Sequence, residues 1–145
     1  MSPRPAKAFE PLSGGCLCRA VRFVLSAPPD YISNCHCSMC RRQSGSACLP
    51  FATVPRAALR WMRGRPRWYR SSAKARRGFC GRCGSTLAYD LPGGRGPQID
   101  LAVGAFDRAE RLAPQWHVYY PDKLAWVAAD RLPRHVRGSR SPLMR

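Results

Sequence analysis

A chain of 145 residues, 45% of them apolar, is the right size for one small domain with its own core. No stretch approaches the about 20 apolar residues of a membrane span, and the first eleven residues carry no apolar run of signal-peptide type, so a cytoplasmic protein without a membrane partner is expected. The 25 basic residues, 22 of them arginine, against 8 acidic give a formal charge of +17, which draws anions of every kind, but they are scattered, so specific binding of nucleic acid is not expected.

Residues 1–12 read as a flexible N-terminal tail, 13–135 as a single domain and 136–145 as a basic, flexible C-terminal tail. Residues 16–25 read as a strand with Leu17, Val21, Phe23 and Leu25 on one face and Cys16 and Cys18 on the other, because side chains two apart point the same way. Pro28-Pro29-Asp30 ends it. Residues 47–54, 59–63 and 67–71 read as further strands, the last two joined through Arg63-Gly64-Arg65-Pro66. A strand over 85–91 and a turn over 93–97 follow. Residues 98–106 then alternate, with Ile99, Leu101, Val103 and Ala105 on one side, and Trp116, Val118 and Tyr120 do the same near the end. Helix signals are weak: 55–59 reads as a turn or two with Pro55 at the first helical position. The fold class is mainly β with little helix.

The cysteines carry the chemistry. Cys16-x-Cys18 and Cys80-x-x-Cys83 lie 61 intervening residues apart and are set among glycines, which let the backbone turn tightly. Four thiolates complete a tetrahedral zinc shell of the structural kind, coupling metal binding to folding. Two disulfides or unpaired core thiols are the alternatives, and the expected reducing compartment favours zinc. Cys35-His36-Cys37-Ser38-Met39-Cys40 places three more thiols within six residues, followed by Arg41 and Arg42. Three protein ligands leave one zinc position open, the mark of a catalytic site, and the arginines favour thiolate. A second structural zinc with a borrowed fourth ligand is the alternative. Cys48 is the better candidate for that ligand and otherwise a small packed residue; His36 would point away from Cys35 and Cys37 in an extended segment.

Three segments in order resemble the glutathione-dependent formaldehyde-activating enzyme family, which includes centromere protein V. They are Gly14-Gly15-Cys16-Leu17-Cys18-Arg19-Ala20-Val21-Arg22, Cys35-His36-Cys37-Ser38-Met39-Cys40-Arg41-Arg42-Gln43-Ser44-Gly45-Ser46 and Arg77-Gly78-Phe79-Cys80-Gly81-Arg82-Cys83-Gly84-Ser85. A fourth patch, from Trp116-His117 through Asp122-Lys123-Leu124-Ala125-Trp126 to Leu132-Pro133, is similar to the family's C-terminal segment.

The resemblance implies a β-tent of small twisted antiparallel sheets stapled by zinc. It implies a structural zinc on Cys16, Cys18, Cys80 and Cys83 and a second, partly occupied zinc on Cys35, Cys37 and Cys40. The implied activity is that of a carbon–sulfur lyase, S-(hydroxymethyl)glutathione synthase-like, with glutathione as thiol cosubstrate and a small aldehyde as partner. Cys35, Cys37 and Cys40 are then the catalytic cysteines. Arg41 and Arg42 would meet the glutathione carboxylates, His117 or Lys123 would handle a proton or a carboxylate, and Trp126 would wall the pocket. Asp122 beside Lys123 offers that lysine an ion pair. The competing function is a non-catalytic zinc-binding module whose basic surface meets nucleic acid. Oligomeric state is left open.

Overall fold

The computed structural model describes residues 8–93 and 96–144. The expected N-terminal tail therefore lies mostly outside the described residues, as does the middle of the 93–97 turn. Among the described residues there are ten strands and one α-helix: β1 (Leu12–Gly15), β2 (Arg22–Leu25), β3 (Tyr31–Cys35), α1 (Ser38–Ser44), β4 (Leu49–Pro55), β5 (Leu59–Arg63), β6 (Arg67–Arg70), β7 (Arg76–Phe79), β8 (Thr86–Asp90), β9 (Gln98–Ala102) and β10 (Trp116–Val118). The mainly β expectation holds.

The strands form a small antiparallel sheet, β1-β2-β5, and a larger one ordered β10-β3-β4-β9-β8-β7-β6. The large sheet is antiparallel except at its edge, where β10 pairs parallel with β3. An interior strand, β4, is buried on both faces. Ala52 and Val54 join the main core with Phe23, Leu25, Leu87 and Leu101, while Leu49 and Phe51 turn to a second cluster with Cys35, Cys40 and Val118. A strand covered on both sides reads as a continuous apolar run rather than an alternation.

Several expected boundaries moved. The single strand over 16–25 is instead a knuckle followed by β2: Cys16 N–H donates to Val21 O at 3.0 Å, Arg19 takes φ 63°, and Leu17 is 87% exposed at the tip. Leu17 therefore does not share the buried face of Val21, Phe23 and Leu25. The strand expected over 98–106 ends at Ala102, where 103–105 turn in a 3₁₀ bend closed by Phe106 N–H to Val103 O at 3.0 Å. β5 and β6 follow one another in sequence but lie in different sheets. Gly64 allows the change: its φ is +56°, and an added Cβ would fall 2.3 Å from Ala20 O. The turn predicted over 55–59 is a 3₁₀ segment (Arg56–Ala58), with Pro55 capping it rather than opening it.

Two ties matter below. Asp90 is buried at the end of β8 and takes Arg56 Nη2 at 2.6 Å and Arg76 Nη2 at 2.8 Å. The segment after β10 returns over the large sheet: Tyr119 N–H donates to Arg137 O at 2.9 Å, and Ser139 Oγ lies 3.3 Å from Tyr31 OH. Residues 136–144, expected as a tail, thus reach one rim of a cavity lined in part by Gly138 and Ser139.

Candidate metal centres and the adjoining cavity

The first centre joins two knuckles. Cys16 and Cys80 are buried, Cys18 and Cys83 half-buried, and the four Sγ atoms lie within 4.8 Å of one another. Tetrahedral thiolates about 2.3 Å from a metal stand about 3.8 Å apart; Cys16–Cys18 is 3.6 Å and Cys18–Cys80 is 3.8 Å. Backbone N–H groups aim at the sulfurs, from Val21 to Cys16 at 3.2 Å and from Arg82 to Cys80 at 3.4 Å. Such bonds favour the thiolate a metal needs. Hydrogen bonds from Ser85 hold the Cys83 thiol down to about 5. The set could hold one metal ion with no position left over.

The second centre is built within one turn of chain. Cys35 closes β3, Cys37 caps α1 by accepting Cys40 N–H at 3.3 Å, and Cys40 is buried in the first turn. Their sulfurs also lie within 4.8 Å of one another, so these three could hold an ion too, one ligand short of a closed tetrahedron. Cys48 belongs to neither set. It lines a separate open cleft of about 1040 Å³ with Leu17, Arg19 and Met62, beside the first centre. That cleft is the larger, but the smaller cavity is the one that meets an incomplete thiol set.

This cavity, about 210 Å³, touches all three thiols of the second centre. A row of directly opposed residues crosses five strands on the face it occupies: Tyr31 (β3), Thr53 (β4), Asp100 (β9), Tyr89 (β8) and Arg77 (β7). Thr53 Oγ1 donates to Asp100 Oδ1 at 2.6 Å. Arg77, 4% exposed, lies over the Tyr89 ring at 5.0 Å and donates from Nη1 to Cys40 Sγ at 3.4 Å. Donation from the Cys35 and Cys40 thiols holds Cys37 well below an ordinary thiol, helped by Cys40 N–H and the Arg77 charge, while Cys35 is pushed up.

The other predicted binding residues lie elsewhere. Arg41 and Arg42 stand in the last turn of α1, where their charge suits the helix C-terminus. At about 100° per residue, Arg42 is turned about 200° from Cys40. His117 is buried in a chain with His36 Nε2 at 2.8 Å on its Nδ1 and Asp130 Oδ1 at 2.9 Å on its Nε2. If Asp130 accepts the His117 Nε2 proton, Nδ1 must accept from His36, leaving His36 Nδ1 bare; it has no hydrogen-bond partner. Burial first, then repulsion by a protonated form of His117 and by the Lys123 charge, pushes His36 down to about 4. This chain lies on the far side of the Cys35–Cys37 link and helps fix it, with His36 N–H on Val118 O at 3.1 Å. Lys123 donates to Leu124 O at 3.1 Å and to Val127 O. Trp126 is 76% exposed. None of these five lines the cavity.

Arg77, Tyr89, Thr53 and Asp100 do line it, and sequence reasoning gave them no role. Arg77 stood in a quoted motif, but its strand carries no alternation, and the register that sets it beside Tyr89 is a tertiary fact.

A mainly β domain with two cysteine sets, each able to hold a metal ion and one opening on a cavity, defines the class. Within that class the chain belongs to the glutathione-dependent formaldehyde-activating enzyme family, whose model matches residues 11–122. It is 31% identical over 110 residues to a Schizosaccharomyces pombe protein described as an uncharacterized lyase, covering 76% of this chain and 79% of that one. A crystal structure of a Rhodobacter sphaeroides protein matches with a TM-score of 0.54 at 26% identity, over 66% of this chain and 88% of the other.

Proposed function

We propose that this chain is a zinc-dependent carbon–sulfur lyase-like enzyme that forms or cleaves a thiol–aldehyde adduct such as S-hydroxymethylglutathione. The observation that carries this reading is the three-thiol set opening on a cavity beside a buried arginine. Zinc on Cys16, Cys18, Cys80 and Cys83 would be structural. Zinc on Cys35, Cys37 and Cys40 would keep one position open and, when bound, supplies Lewis-acid chemistry that favours thiolate over thiol.

The chain's own residues do the rest. Arg77 balances the negative charge of the thiolates, and its guanidinium borders the space where a carbonyl oxygen gains charge. Tyr31, Phe51 and Val118 wall that space and exclude water. The volume holds a cysteinyl group and an aldehyde, so the charged ends of glutathione remain at the mouth. Met39 is exposed and lines the cavity, and Arg42 lies three residues on along α1, from where it would meet a carboxylate. Arg41, His117, Lys123 and Trp126 would act outside the cavity. A reducing cytoplasm suits seven thiolates.

The test follows adduct formation by NMR with zinc-loaded protein, glutathione and formaldehyde. Catalysis above the uncatalysed rate in wild type, and its loss in folded Cys40→Ser, is the expected result. Rates equal to background at all protein concentrations would overturn the reading.

A further inference from the structure

The cavity beside the second cysteine set is larger and more apolar than formaldehyde requires. It measures about 210 Å³, shared between the thiol's cysteinyl group and the aldehyde; a water molecule takes about 30 Å³ of liquid and formaldehyde has only two heavy atoms, so space is left beside the pair. Its apolar walls are the buried Phe51 and Val118 and the half-buried rings of Tyr31 and Tyr89, with Phe51 and Tyr89 centroids 6.2 Å apart, beside the polar Thr53, Asp100 and Arg77. One buried donor there lacks a partner, Arg77 Nε, on the side chain whose Nη1 already meets Cys40 Sγ. A buried donor without an acceptor is costly, and Arg77 lines the cavity, so an acceptor oxygen that reaches its guanidinium is favoured.

We propose that the carbonyl substrate is an aldehyde bearing an apolar, ring-sized substituent, with its oxygen toward Arg77 and the substituent seated against Tyr31, Phe51 and Val118. This rests on the lyase reading and names its substrate class. The S–C bond forms as the C=O π bond breaks, and the proton lost from the thiol ends on the carbonyl oxygen, so no oxidant or reductant is needed. Arg77 meets that oxygen while charge builds on it. Each methylene buried against these walls adds about fourfold in affinity, a gain formaldehyde cannot collect.

The experiment compares kcat/KM for formaldehyde, butanal and benzaldehyde with glutathione, using the protein as purified with its metal. In parallel, benzyl alcohol, which cannot form the adduct, is titrated in thermal melts. Ala75, buried and lining the cavity, is replaced in Ala75→Leu to fill it; Tyr31→Trp narrows the same space from β3 and is used if the first variant does not fold. Benzaldehyde should exceed formaldehyde by at least about tenfold, and that ratio should fall at least about tenfold in the variant. Benzyl alcohol should raise the melting temperature of wild type saturably and that of the variant far less. Turnover of formaldehyde with the larger aldehydes inert overturns the substrate class and leaves the lyase reading intact. No turnover of any aldehyde, with benzyl alcohol still bound in wild type only, sinks the lyase reading and supports the cavity's ligand class. No turnover and no binding overturns both.

Discussion

The Arg77 guanidinium sits 3.4 Å from Cys40 Sγ, joining β7 to the first turn of α1 across 37 positions of sequence. A buried cation against a cysteine set lowers the cost of gathering thiolates, as partners beyond the ligand shell commonly do. Arg77→Met should weaken metal retention at the second centre by about tenfold to a hundredfold, measured by chelator competition. Retention at the four-cysteine centre should not change. Equal loss at both centres, or at neither, would refute the assignment.

The two centres should differ in what they hold together. Cys16→Ser or Cys83→Ser removes a thiol from a four-cysteine set that could hold a metal and links residues 16–18 to 80–83; metal binding at such sets is worth on the order of 10 kcal/mol in small zinc domains. Such variants should be insoluble or unfolded by circular dichroism. Cys40→Ser should fold and lose one metal equivalent of two. If it collapses as badly as Cys16→Ser, both centres are structural.

Asp90 gives a pH dependence with a definite sign. Burial alone would raise its pKa, but the Arg56 and Arg76 guanidiniums outweigh burial and hold the carboxyl below its ordinary value. A depressed carboxyl stabilises the fold above its unfolded pKa, about 3.9, and loses that contribution as pH falls through its lower folded value. Asp90→Asn should cost about 2 kcal/mol at neutral pH and flatten the acid limb of a melting-temperature profile below about pH 4. An unchanged acid limb would show that the pairs contribute nothing to stability.

His117 is the middle link of the chain from His36 to Asp130, and truncating it strands His36. His117→Ala leaves His36 Nε2 without its 2.8 Å contact in a buried site, a loss of about 2 kcal/mol. Urea unfolding should show this as a lower midpoint at unchanged slope. A variant as stable as wild type would mean that His36 finds another partner.

Much of the fold was legible because its signals are local. Strands β5, β6 and β8 showed their boundaries through turn residues and apolar patterning. β1, β3 and β7 did not: Leu12–Gly15 and Arg76–Phe79 are glycine- or arginine-bearing segments with no clean alternation, and they become strands through pairing with distant partners. α1 was missed because Ser38–Ser44 is too short to show helical periodicity and is fixed by the Cys37 cap and the left-handed Gly45.

The sequence by itself determined which thiols gather locally, because Cys-x-Cys and Cys-x-x-Cys spacings bring sulfurs together within a single turn of backbone, while the fold joined the 16–18 and 80–83 knuckles. It determined the family for the same reason, since those motifs are contiguous strings. Only the tertiary structure decided what faces the open thiol set. Arg77, Tyr89, Asp100, Thr53 and Tyr31 come from five strands, and register alone places them in one row. It also turned His117 and Lys123 away from the cavity, onto His36 and Asp130 and onto backbone carbonyls. Spacing along the chain fixes contacts within a turn, whereas contacts between strands depend on pairing free energies summed over the whole sheet.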